Sequence, residues 1–319
     1  MGLSSDIHET PGSDLPVTGR RLVVIFNPVA GSRRPGFLDV VAAAARAEGA
    51  GLEIWETGAA GDAERMAMEC ACAGRADVVV AAGGDGTINE VVNGLAAASR
   101  KGARACALGI IPLGTANVLA HELGLSFRAG ALGRLLATGA AVAVRAGQAN
   151  GRLFTMMAGV GMDARVVAGI DPAVKRRLGK GAYALGSLRE IMQGPGLDYR
   201  VAVTSPDGTV SHHKAASCII CNGHYYGGTF VLAPQARLSD AAFQVVLFQR
   251  PGRMAALSYA AAMVLGTIPR RRDVTILPAL AVSVEGPAAE PVQGDGDIIA
   301  HLPLTVALVG GILPVLAPS

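Results

Sequence analysis

The chain has 319 residues, 51% of them hydrophobic and 17% charged, with a formal net charge of +3. A single core stops growing near ~250–300 residues, so two domains are expected. The mild charge, with no RNP, finger or helix-turn-helix signature, argues against a nucleic-acid partner.

Residues 1–19 are polar and carry Pro11 and Pro16. They lack the basic and apolar regions of a signal peptide and read as a disordered tail. Strand and helix signals then alternate. "RLVVIF" (21–26) predicts a strand, 36–50 an Ala-rich helix, "LEIWET" (52–57) a strand and 62–74 a helix. "DVVVAA" (77–82) predicts a third strand, Ile88 to Arg100 a helix, "ALGIIPLG" (107–114) a fourth strand, and Ala116 to Leu123 another helix. Continuous apolar strands alternating with helices predict an α/β unit with a parallel sheet covered on both faces. From about residue 145 the texture changes to strand-rich segments, with a Pro-Asp-Gly turn signal at 206–208. One apolar helix around 253–268 interrupts, so the second domain is expected to be mostly β.

Five cysteines stand at irregular spacing. Cys218 and Cys221 have redox-motif spacing, but they lie in an apolar strand-like run, which points them to opposite faces. They read as buried small hydrophobes. The longest apolar stretch, Met254 to Ile268, has 15 residues, short of the ~20 needed to span a bilayer. A cytoplasmic location is expected.

Three strand ends run into loops of glycine and polar residues. "GGDGTIN" (83–89) permits close approach of a ligand, and the following helix offers an anion site. It is neither the dinucleotide fingerprint nor a P-loop. In "FNPVAGSRR" (26–34), Asn27, Gly31 and Ser32 offer donors to phosphate or ribose, beside Arg33 and Arg34. In "IPLGTANVLA" (111–120), Thr115 and Asn117 read equally as helix caps. Such loops at one carboxyl edge of a parallel sheet predict a nucleotide site.

"FNPVAG", "GGDGTINEVVNGL" and "PLGTANVLA" resemble the catalytic domain of the diacylglycerol kinase and sphingosine kinase family, the soluble bacterial lipid kinases most of all. The resemblance runs from about residue 21 to 318. It implies a two-domain kinase: an α/β ATP-binding domain at 20–145, to which 306–319 returns, and a β-rich, sandwich-like lipid domain at 146–305, with the active site in the cleft between them. It places ATP contacts at Asn27, Thr57, Gly83, Gly84, Asp85, Gly86, Thr87, Ile88, Asn89 and Thr115. "APQARLSDAAF" resembles a segment that holds a structural Mg²⁺ by Asp240 and the carbonyls of Arg237 and Ala242, a donor set that suits a hard cation. "GDGD" resembles the motif whose last acid, Asp297, accepts the proton of the lipid hydroxyl. Without the resemblance, Asp240 and the 295–297 stretch read as turn residues. Asp85 is the second acid, expected to organise metal and phosphate.

The family's chemistry is positioning, charge neutralisation and general-base help. The sequence departs from it at Val118 and Arg145, where many relatives carry acids. The leading expectation is an ATP- and Mg²⁺-dependent kinase of diacylglycerol, ceramide or a sphingoid base. Such an enzyme meets its lipid by transient, peripheral contact with a membrane, and a homodimer is compatible with it. The apolar segment at 253–268, with Arg253 and Arg270–Arg272 at its ends, reads either as a core-packing helix or as a surface for that contact, and the cluster at 175–180 either as a solvated face or as a second such surface. A soluble-metabolite kinase of the NAD-kinase type and a non-catalytic nucleotide-binding regulator are the alternatives.

Overall fold

Four apolar runs form the parallel strands that the alternation predicts. In the computed structural model, which describes residues 19–31, 35–169, 198–311 and 313–318, the first half runs in strict alternation. It comprises β1 (Arg21–Phe26), α1 (Phe37–Ala47), β2 (Gly51–Glu56), α2 (Asp62–Cys72), β3 (Val78–Gly83), α3 (Asp85–Arg100) and β4 (Ala107–Pro112). Then come α4 (Val118–Glu122), α5 (Ala129–Thr138) and β5 (Ala141–Val144). Nearly all of the proposed tail, the Ser32-Arg33-Arg34 stretch and the basic cluster at 175–180 lie outside the described residues.

β3 is buried along its whole length because helices cover both faces of the sheet. Strands β1 to β4 are mutually parallel, so their carboxyl ends share one edge. α3 begins at Asp85, three residues earlier than the apolar pattern predicts. A carboxylate is favoured in the first turn of a helix, where it meets the positive end of the macrodipole. α4 begins at Val118 rather than Ala116, because Asn117 adopts the left-handed conformation. Its side-chain amide closes the loop on Gly114, accepting from the Gly114 N–H and donating to the Gly114 carbonyl, both at 2.8 Å.

The second half contributes β6 (Gly147–Ala149), β7 (Arg152–Phe154), β8 (Met157–Val160), α6 (Met162–Gly169), β9 (Tyr199–Thr204), β10 (Val210–Ala215) and β11 (Ser217–Cys221). After the short pair β12 (Tyr225–Tyr226) and β13 (Phe230–Val231) come β14 (Phe243–Phe248), α7 (Arg253–Val264), β15 (Val274–Ala279), β16 (Ala281–Glu285), β17 (Pro291–Gly294), β18 (Asp297–His301), β19 (Leu304–Leu308) and β20 (Leu313–Leu316). α7 stops short of residue 268, as Gly266 turns left-handed just past its end.

Two six-stranded antiparallel sheets, β10-β9-β16-β19-β6-β7 and β15-β14-β11-β8-β17-β18, form a sandwich. Phe154, Tyr199 and Phe243 fill the space between them. Cys218 belongs to this inner core and Cys221 to the opposite face, as the strand period requires. Both are free thiols. β19 belongs to the sandwich, whereas β20 joins the first sheet, parallel to β4 and antiparallel to β5, in the order β2-β1-β3-β4-β20-β5. The fold is thus an α/β unit with a parallel sheet plus a β-sandwich, and the chain passes between the two twice.

Candidate active site

The carboxyl edge of the first sheet and the sandwich enclose one cavity of about 1280 Å³. This exceeds the ~300–1,000 Å³ typical of a single small-molecule pocket. Its walls come from both halves of the chain.

The three glycine-containing loops meet at one end. Asn27 donates its amide to Thr87 Oγ1 at 3.1 Å and accepts from the Val29 N–H at 3.0 Å. A Cβ on Gly31 would lie 2.6 Å from Thr115 Oγ1, and one on Gly114 would collide with the backbone of Gly84. Only glycine allows this backbone-to-backbone contact between the loops after β3 and β4. Asn27, Thr57, Gly84, Asp85, Gly86, Thr87, Ile88 and Thr115 all line the cavity.

Gly83 and Asn89 do not fall in that lining. Gly83 is buried within β3, with Thr87 where its Cβ would stand. Asn89 is buried and faces the sandwich, donating to the Leu153 carbonyl at 2.8 Å and to Asp295 Oδ2 at 3.1 Å. It sits one helical turn beyond Asp85 on the same side of α3, but these hydrogen bonds bury its side chain and tie α3 to the second sheet system.

The placement of Asp85 answers why a carboxylate interrupts a glycine turn. Its Oδ1 accepts the Val118 N–H at 2.7 Å, so it binds the first amide of α4 and locks the two loops together. Burial, and after it the charge of Asp295, pushes its pKa up to about 6, against the opposing amide hydrogen bonds of Val118, Leu119 and Asn117. Val118 enters here through its backbone, so the missing acid leaves this contact intact.

Asp297 arrives from the other side. β17 and β18 are joined by Asp295-Gly296, both with positive φ, as a two-residue type I′ hairpin demands. The turn lays Asp297 against α3: a Cβ on Gly86 would collide with Asp297 Oδ2. Residues 211 positions apart in sequence thus meet at the cavity.

Asp295, which the sequence left as part of a turn, is buried and holds this geometry. Its Oδ2 accepts from the Thr155 N–H (2.7 Å) and Oγ1 (3.0 Å) as well as from Asn89. Its Oδ1 accepts from the N–H groups of Met156 (2.8 Å) and Met157 (3.1 Å). A second strut comes from Gln293, which donates to Asp163 Oδ2 at 2.9 Å and accepts the Gly296 N–H at 3.0 Å. Burial pushes the Asp163 pKa up to about 6. A single acid inside the apolar run "GVGMDARVV" was the available sequence signal for it.

Beyond these acids most of the lining is apolar, with Met162, Val166, Phe248, Ala256, Tyr259 and Met263, and Arg165, Arg250 and Arg253 stand among them. The 232–242 loop stands apart from the cavity lining. Asp240 and Arg237 are exposed there, and the Asp240 N–H closes a turn on the Arg237 carbonyl at 3.0 Å. Arg145 braces the same loop, its backbone N–H bonding the Leu238 carbonyl and its Nε the Ser239 carbonyl.

Residues 21–149 match the model of the diacylglycerol kinase catalytic domain, and 156–317 match the YegS C-terminal NAD kinase beta sandwich-like domain. A "Probable lipid kinase YegS-like" of Chromohalobacter salexigens is 32% identical over 86% of each chain. The chain belongs to the diacylglycerol kinase and YegS-like lipid kinase family. Similar relatives include a "Probable lipid kinase YegS-like" of Pseudomonas aeruginosa, 36% identical over 70% of this chain and 71% of the relative. The "Diacylglycerol kinase" of Bacillus subtilis is 32% identical over 72% and 74%. A crystal structure of a diacylglycerol kinase from Bacillus anthracis str. Sterne shares the fold, with a TM-score of 0.75 and 24% identity over 94% of this chain and 98% of that one. In this lipid kinase the matched domains meet at the cavity that Asp85 and Asp297 share.

Proposed function

We propose that this lipid kinase transfers the γ-phosphate of ATP to a hydroxyl of diacylglycerol or a related lipid, with ceramide or a sphingoid base as close variants. The observation that carries the reading is the contact between Gly86 and Asp297 inside a cavity whose far end is mostly apolar. One end offers glycine backbone and the N-terminus of α3 to phosphates. The other offers room for an acyl chain.

In this reading ATP lies along the loops that carry Asn27, Thr57, Gly84, Gly86, Thr87, Ile88 and Thr115. Asp297 accepts the proton of the lipid hydroxyl as its oxygen attacks the γ-phosphorus, the bond to the β-phosphate oxygen breaks, and ADP leaves. Such general-base help is typically worth ~10²–10⁴-fold. Asp85 fixes the loops around the phosphates and adds a second carboxylate on the nucleotide side. Magnesium bound with ATP neutralises phosphate charge, and both carboxylates present oxygen donors that suit a hard cation. Asp240 with the carbonyls of Arg237 and Ala242 is the proposed structural Mg²⁺ set. All three donors are oxygens, and the exposed loop leaves room for waters. A cation there would brace the loop without touching the phosphates.

No helix among the described residues is long and apolar enough to cross a membrane. The lipid is therefore proposed to be met by peripheral contact. The test is transfer of label from γ-labelled ATP to a panel of diacylglycerol, ceramide and sphingosine in mixed micelles, with NAD as a soluble control. A labelled lipid names the acceptor. Label on NAD and on no lipid overturns the reading.

A further inference from the structure

α7 carries three different faces. At about 100° per residue, Ala255, Tyr259 and Ala262 share one side and are buried. Ala256, Ala260 and Met263 share the next and line the cavity. Met254, Leu257 and Leu265 share the third, and that face is open to solvent: Met254 is 79% exposed and Leu265 73%. Ala261 lies on the same stripe and is also exposed. A surface helix ordinarily turns charge outward, and one that is apolar all round belongs in a core or at a membrane.

Val264 joins the outer face to the cavity. It is 68% exposed and also lines the cavity. An apolar path therefore runs from Met254 and Leu257 over Val264 to Met263 inside. Charge frames it: Arg253 is exposed at the first turn, where it also borders the cavity, and Arg270 and Arg272 are exposed beyond the last. Arg271, which the sequence grouped with them, is committed to the fold. It pairs with Asp273 at 2.9 Å, donates to Ser258 Oγ at 2.8 Å and lies over the Tyr259 ring.

We infer that the outer face of α7 seats on an anionic bilayer, with Met254, Leu257 and Leu265 in the acyl boundary and Arg253, Arg270 and Arg272 at the headgroups. The acceptor lipid then enters over Val264 without its chains crossing water. This rests on the lipid-kinase reading above and names the element and the surface that serve it. The apolar stripe supplies burial, the arginines supply attraction to anionic headgroups, and both follow the physics of interfacial helices.

Two variants of the full chain test it, chosen outside the cavity lining: Met254→Gln/Leu257→Gln/Leu265→Gln and Arg270→Gln/Arg272→Gln. Sedimentation with phosphatidylcholine–phosphatidylglycerol vesicles is expected to show binding at least ~10-fold weaker for the first and about 5-fold or more weaker for the second. Thermal denaturation and activity on short-chain diacylglycerol dispersed as monomers are expected to stay at wild-type levels. Unchanged vesicle binding overturns the inference. So does an equal loss on monomeric and vesicle lipid, which makes α7 a cavity wall only. A wild type that binds vesicles through this face yet phosphorylates no lipid overturns the kinase reading instead, so the two failures are distinguishable.

Discussion

Replacing Asp85 by Asn removes a charge that the fold holds at a cost. The carboxyl has its pKa raised from 3.8 to about 6, first by burial and then by Asp295. That interval corresponds to about 3 kcal/mol carried by the ionised form at neutral pH. Asp85 is mostly buried and only partly open to the cavity, and solvent there trims the figure to about 1–3 kcal/mol. Because the folded value lies above the unfolded one, the penalty is absent below pH 3.8, grows as pH rises to about 6, and is constant above. Asn keeps an oxygen for the Val118 N–H, so the loop contact survives. The expected result is a variant that melts at least ~2 °C higher than wild type at pH 7.5, with the gain shrinking toward pH 4.5, and whose lipid phosphorylation is at least ~100-fold slower. Asp163 titrates alike in both proteins and drops out of the difference. A variant less stable than wild type at pH 7.5, or a gain that ignores pH, refutes the reasoning.

Gly86→Ala puts a Cβ against Asp297 Oδ2, the far end of a side chain that can swing away. The fold should survive, while kcat falls at least ~10-fold and ATP affinity holds, as read by steady-state kinetics and calorimetry. Asp295→Ala strips the acceptor from three backbone N–H groups, the Thr155 hydroxyl and the Asn89 amide. Chemical denaturation should show a loss of about 3–5 kcal/mol; a loss under 1 kcal/mol would speak against its role as a clamp. Gln293→Leu cuts the strut between Asp163 and Gly296. It is expected to lower kcat by about 10-fold with KM for ATP unchanged, because the turn that aims Asp297 loosens.

The parallel sheet was legible because β1, β3 and β4 are unbroken apolar runs, and the loop cluster because glycines mark every strand end. α5 and β5 were less legible: "AGALGRLLAT" and "AVAV" are short and Ala-rich, and Gly139 at the C-cap of α5 is the one break between them. The start of α3 was misplaced because apolar periodicity begins at Ile88, whereas the helix is set by Asp85 and the extended Gly84 before it. Asn89 was expected among the ATP contacts by its place in the motif. Only the fold shows that its side chain is buried against the Leu153 carbonyl and Asp295. Asp295 and Asp297 look equivalent two residues apart, yet the I′ turn buries one and lays the other on Gly86. Burial of that kind depends on Thr155 to Met157, which no local pattern connects to residue 295. The arginine run 270–272 likewise looked uniform until Arg271 proved to be paired within the fold.

The most direct test of the account is a single-turnover measurement with γ-labelled ATP and the preferred lipid in mixed micelles, comparing wild type with Asp297→Asn. The account predicts label on the wild-type lipid, ATP affinity in the variant within about 3-fold of wild type, and transfer slower by at least ~100-fold. Transfer at the wild-type rate by Asp297→Asn would contradict it.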